Sequence, residues 1–119
     1  MSYVVVAVLA VETARRAEYE AHSRMAAEVF LEHGAERLVE LWGDDVPEGE
    51  LTSFPMAVKA EEGETVCVSL MYWPDRAARD AGMEKVFADP RLHGPMPFDG
   101  KRMIFASFDT MLDIGKHAA

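Results

Sequence analysis

The 119-residue chain predicts an α+β sandwich, and three observations carry that expectation. Short apolar runs of strand character occur four times, and two longer stretches between them place apolar residues at helical spacing. Glycine, aspartate or proline stands where one kind of run gives way to the other. The resulting order, β-α-β-β-α-β, is that of a ferredoxin-like split βαβ unit: an antiparallel sheet with both helices on one face. A chain of this length supports one core, so a single domain is expected over residues 1–119.

The first strand is "YVVVAVLAV", Tyr3 to Val11, β-branched and apolar on both parities. From Thr13 to His33 the spacing becomes helical: Tyr19, His22, Ala26, Val29, Phe30 and His33 share a face, and Gly34 supplies a left-handed cap. "ERLVELW" alternates as the second strand and "TVCVSLMYW" as the third. Asp75, after Pro74, caps a second helix that runs to Ala88 and stops at Asp89-Pro90. "RMIFASFDTML" is the last strand, and "GKHAA" reads as a frayed tail.

The connection from Gly43 to Thr65 is too long for a structureless loop in a compact domain. Within it Phe54, Met56 and Val58 alternate with Pro55, Ala57 and Lys59, which predicts a short extra strand kept at an edge by Pro55. "EEGE" would then be the turn of a hairpin into the third strand. Such an arm suits reaching a partner subunit or rimming a cavity.

Two helices cover one sheet face only, yet the first strand is apolar at Val4, Val6 and Val8 and also at Val5, Ala7 and Leu9. The third strand repeats the conflict, with Val66, Val68 and Leu70 on one side and Cys67, Met71 and Trp73 on the other. A monomer does not normally leave that much apolar surface open. A homodimer packed sheet to sheet about a two-fold axis resolves the conflict.

Composition excludes several classes of partner. The formal net charge is −9, from 21 acidic and 12 basic residues, which argues against nucleic acid and anionic membrane and repels acidic ligands at long range. The longest apolar run has no preceding positive charge and is too short to span a membrane, so no membrane partner and no signal peptide are expected. Cys67 is the only cysteine and reads as a buried structural thiol, a usage that fits a cytoplasmic protein.

No motif in the chain announces a reaction. "GPMPFDGK", Gly94 to Lys101, fails as a phosphate loop: its glycines are too far apart, Arg102 follows the lysine, and it leads into a strand. A proline-rich turn setting the register of the last strand explains it better. No nucleotide fingerprint, zinc-protease helix or nucleophile elbow occurs, so no metal and no organic cofactor are expected. His22 and His33 lie about 16 Å apart along one helix and cannot share a metal. Arg79 and Asp80 point from different helix faces and read as solvated.

Four stretches, "EHGA" at 32–35, "GDDVPEGELTSFPMAVKAEEGETV" at 43–66, "ADPR" at 88–91 and "MPFDGKRMIF" at 96–105, resemble the bacterial YbaA-like family, domain of unknown function 1428. The resemblance covers nearly the whole chain and departs from the family in the short "LHGP" before the last motif. It implies the dimeric α/β-barrel arrangement, in which two ferredoxin-like subunits join their sheets. The wider superfamily includes cofactor-independent monooxygenases, heme-degrading enzymes, small isomerases and stress-related proteins, so the fold selects no chemistry.

The leading functional expectation is a small-molecule pocket between sheet and helices that works without a cofactor. Its candidate residues are His33, an acid or base near a helix end; Trp42, at a strand end where an aromatic edge can close a cavity; and Asp44 and Asp45, a turn pair whose carboxylates accept backbone amides or act together as acids. Phe54, Pro97 and Phe98, flanked by Asp99, Lys101 and Arg102, complete a mixed apolar and charged rim. The bland reading of that rim is a brace in which Asp99 pairs with Arg102 or caps a turn. The competing function class is a non-enzymatic module, stress-related or protein-binding, that acts through its dimer surface.

Overall fold

A computed structural model describes residues 1–116 of the chain. Four strands, β1 (Tyr3–Glu12), β2 (Arg37–Trp42), β3 (Glu64–Trp73) and β4 (Ile104–Asp109), form one antiparallel sheet in the order β2-β3-β1-β4. Helices α1 (Arg16–Glu32) and α3 (Arg76–Ala88) cover one face of it, and a single-turn helix α2 (Phe54–Ala57) lies in the connection between β2 and β3. This is the ferredoxin-like arrangement that the alternation of elements predicts.

Local chemistry fixes the element ends. A 3-10 turn, Thr13–Arg15, precedes α1, so the α-helix proper begins later than the periodicity suggests. At its other end Gly34 has φ of 110°, the Ala35 amide donates to the Phe30 carbonyl at 3.0 Å, and the Gly34 amide donates to the Leu31 carbonyl at 3.3 Å. That pair of bonds is a Schellman cap, which needs a residue tolerant of positive φ. The Asp75 carboxylate accepts from the Ala78 amide at 2.8 Å and starts α3 as expected. β4 is shorter than the run "RMIFASFDTML", because Arg102 turns back to the loop carboxylate Asp99. Of the expected frayed tail, His117 onward lies outside the described residues.

Strand register sorts the sheet into two apolar faces. Toward the helices point Leu9, Val11, Cys67, Met71 and Trp73, packed against Tyr19, Phe30, Ala78 and Met83. Trp73 is fully buried, and Gly82 of α3 lies so close to its ring that a Cβ there would overlap it. On the opposite face the chain between β2 and β3 folds back on its own sheet, where Val46, Val58 and Ala60 pack on Val8, Ala10, Val66 and Val68. The arm covers only that end. Beyond it the register sets Val39, Leu70, Val6 and Ala106 side by side across all four strands, flanked by the row Leu41, Val68, Val8, Ile104 and the row Arg37, Tyr72, Val4, Phe108. Leu41, Ile104 and Phe108 remain about half exposed there. The two-sided apolar pattern of β1 and β3 is thus real, but half of its explanation is the chain's own arm.

The expected extra strand is instead α2. Ser53 caps it, its Oγ accepting from the Met56 amide at 3.1 Å, and Pro55 occupies the first turn, where a missing amide costs nothing. The alternation of Phe54, Met56 and Val58 is therefore coincidental. "EEGE" does turn, the Glu64 amide donating to the Glu61 carbonyl at 3.1 Å with Gly63 at φ of 82°, but it follows a helix and closes no hairpin.

Candidate functional site

A cleft of about 270 Å³ lies between α1 and β2. Strand alternation turns Leu38, Glu40 and Trp42 toward the helix, and Arg16, Tyr19, Ser23 and Ala27 meet them from successive turns of α1. Glu40 is the centre of this arrangement. The Tyr19 hydroxyl donates to Glu40 Oε2 at 2.7 Å, and the Ser69 hydroxyl, one strand away in the same row, donates to Oε1 at 2.9 Å. Burial pushes the Glu40 carboxyl above its ordinary value, while the two hydroxyl donors pull it back. Tyr19 is itself raised, chiefly by burial and then by the neighbouring Glu40 charge, so it stays a neutral donor. Cys67 is fully buried next to this pair, and burial lifts its thiol to about 11, which leaves it unreactive as the composition suggests.

The mouth of the cleft is aromatic and cationic. The Arg16 guanidinium lies over the Trp42 ring, 4.9 Å from its centroid. Trp42 and Phe98 both lean on Tyr19, with ring centroids 6.5 and 6.0 Å away, and Phe98 also meets His22 edge-on at 6.1 Å.

The family of proteins of unknown function designated DUF1428 matches residues 2–100. The chain belongs to the DUF1428 family. The uncharacterized protein YbaA of Escherichia coli strain K12 is 45% identical over 116 residues, covering 95% of this chain and 99% of YbaA. The Shigella flexneri protein shows the same identity and coverage. Among solved structures, SnoaB, a cofactor-independent oxygenase from Streptomyces nogalater, matches with a TM-score of 0.55 at 15% identity, over 97% of this chain and 98% of SnoaB. That likeness concerns the fold.

In this DUF1428 chain the residues singled out from sequence do not form one site. Trp42 and Phe98 come together around Tyr19, and Pro97 is buried beside Phe98 in sequence. Asp99, Lys101 and Arg102 form the brace: Asp99 accepts from the Lys101 amide and from Arg102 Nε, both at 3.0 Å. Arg102 then continues to Glu64 at 2.7 Å and to the Lys59 carbonyl at 2.9 Å. Phe54 is a half-exposed residue of α2. Asp44 lines a second, larger cleft of about 520 Å³ whose other carboxylates include Glu48, Glu61 and Glu62. The chain bends at Asp44 and Asp45 as expected, but neither carboxylate accepts a hydrogen bond among the described residues, which corrects the expected backbone capping, and both stay exposed to water.

His33 sits at the far end of α1 from Arg16, roughly 25 Å along the axis, and so outside the cleft. Its Nε2 is 3.3 Å from Asp89. Glu32, His33 and Asp89 hold their ligating atoms within 4.8 Å of one another, but Arg91 already donates to both carboxylates and holds Asp89 well below the usual carboxylate range. Arg79 is not simply solvated: it pairs with Asp80 at 2.8 Å, crosses the Tyr3 ring and donates to Ser107 at 2.9 Å, tying α3 to β4.

Sequence reasoning missed Glu40, Ser69 and Arg16. The signal for Glu40 was present, since the alternation of "ERLVELW" puts it between Leu38 and Trp42 on the covered face. A carboxylate at such a position requires partners or a function.

Proposed function

We propose that this protein binds a small organic molecule in the cleft between α1 and β2 and exchanges a proton with it through Glu40. One observation carries the reading: a half-buried carboxyl, held by two hydroxyl donors and displaced from its ordinary value by burial, faces a cleft walled by Leu38, Ala27 and Trp42. Acid-base groups need such displacement, and apolar walls with a few fixed polar groups are what ligand sites offer. The reading uses only the chain's own side chains and calls on no cofactor. Among the described residues no helix is long and apolar enough to cross a membrane.

The same proposal has the protein act as a homodimer. The open rows centred on Val39, Leu70, Val6 and Ala106 hold one charged residue, Arg37, and its guanidinium is laid on the Tyr72 ring at 5.2 Å. A two-fold axis through that face would bury the patch in both copies at once. The α1–β2 cleft lies on the other side of the sheet and stays open to ligands in such a dimer.

Mass spectrometry of small molecules released from freshly purified protein tests the ligand. Wild type should release a compound that Glu40→Leu and Ala27→Trp variants do not carry. Equal recovery from all three proteins would place the ligand elsewhere and remove the cleft from the proposal.

A further inference from the structure

We infer that the cleft selects a small organic anion, a carboxylate with a short apolar body, through Arg16 at its mouth. The inference rests on the proposed cleft and adds the ligand's chemical class. Arg24 and Glu20, the other charged pair at the rim, satisfy each other at 3.1 Å, four residues apart on α1. Arg16 has no carboxylate partner among the described residues. Its guanidinium lies over the Trp42 ring, and no side-chain hydrogen bond from it is seen among the described residues. An unpaired guanidinium over an aromatic ring and beside an apolar wall is a prepared fork for a carboxylate, whereas a lysine there would offer only a point charge.

The charge also bears inward. Arg16 is one of the groups that pulls the Cys67 thiol downward against burial, and Cys67 packs against Tyr19, a wall of the cleft. Below the mouth, Leu38 and Ala27 receive an apolar body, and Ser23 and Glu40 meet a polar group at its inner end. The overall charge of −9 opposes an anion at long range, but beyond about 8 Å it is screened at physiological salt, while the contact with Arg16 is not. Glu40 at the inner end does not repel the ligand when its carboxyl keeps its proton.

The test uses matched carboxylate and carboxamide pairs, namely benzoate, phenylacetate, 3-phenylpropanoate and hexanoate with their amides, titrated by NMR while following the Trp42 indole proton. The carboxylate of at least one pair should bind about tenfold tighter than its amide. Arg16→Gln should bring the carboxylate down to the amide's affinity and leave the amide unchanged. Ala27→Trp should abolish both, with Ala27→Leu as the milder block should the larger residue disturb folding. Equal binding of carboxylate and amide at the Trp42 signal, lost in the Ala27 variant, overturns the anion and spares the cleft. No saturable shift of the Trp42 signal with any pair overturns both.

Discussion

Tyr19 and Glu40, twenty-one residues apart, meet at 2.7 Å and join α1 to β2 across the cleft. The bond stabilises the charged form of a carboxylate that burial otherwise disfavours. Tyr19→Phe keeps the tilted and edge-on ring contacts with Trp42 and Phe98 and removes only the donor. It should raise the Glu40 titration midpoint further, read from the carboxyl carbon in NMR, and cost about 1–3 kcal/mol of stability for the partner left unsatisfied. An unmoved midpoint would mean that Tyr19 does not govern Glu40.

The pH dependence of stability isolates the same group. Because the folded-state value of Glu40 lies above its unfolded one, the folded state holds the extra proton between the two, and Glu40 takes stability away as pH rises through that window. Glu32, Glu64, Asp89 and Asp99 are lowered by arginine partners and act in the opposite sense, losing stability as pH falls. The sum is therefore uninformative, but the difference between wild type and Glu40→Gln is not. As pH rises from about 4, the ordinary glutamate value, through the raised folded-state value, wild type should lose stability relative to the variant. A flat or rising difference contradicts the assignment.

Much of the fold was legible because strand and helix periods are local. Gly34 and Asp75 cap where their chemistry says they should, and the two-sided pattern of β1 is a fact of register. The extra strand was misread because three alternating apolar residues also fit one turn of helix, and Ser53 with Pro55 decides for the helix. The site was less legible. Glu40 could be found from alternation alone, but its partner Ser69 depends on the pairing of β2 with β3, which no local pattern specifies. Asp99, Lys101 and Arg102 looked like a rim because charge clusters look alike in sequence whether they meet a ligand or each other.

Arg102 should matter to the arm rather than to the ligand. Its guanidinium reaches Asp99, Glu64 and the Lys59 carbonyl together, and Lys59 is held at φ of 50°, a conformation a lysine adopts at a cost. Arg102→Lys keeps the charge but cannot make this fork. Amide exchange at Val58 and Ala60 should accelerate and the thermal midpoint fall, with the Trp42 signal unchanged. Unaltered exchange in the arm would show that the brace does not hold it.

The proposed assembly is tested at Leu70. It lies between Val39 and Val6 at the centre of the open face, on the side of the sheet away from the helices and clear of the arm. A lysine there keeps the strand's backbone bonds and can extend into water in a single chain, but in a sheet-to-sheet dimer it would bury an unpaired charge opposite its own symmetry mate. Light scattering at micromolar concentration should give twice the chain mass for wild type and a folded monomer for Leu70→Lys. Glu48→Lys, a charge change on the exposed arm, should leave the dimer intact. A wild type that scatters as a monomer, or a Leu70→Lys protein that stays dimeric, would show that the open face is not where two copies meet, and the apolar rows would then need another partner.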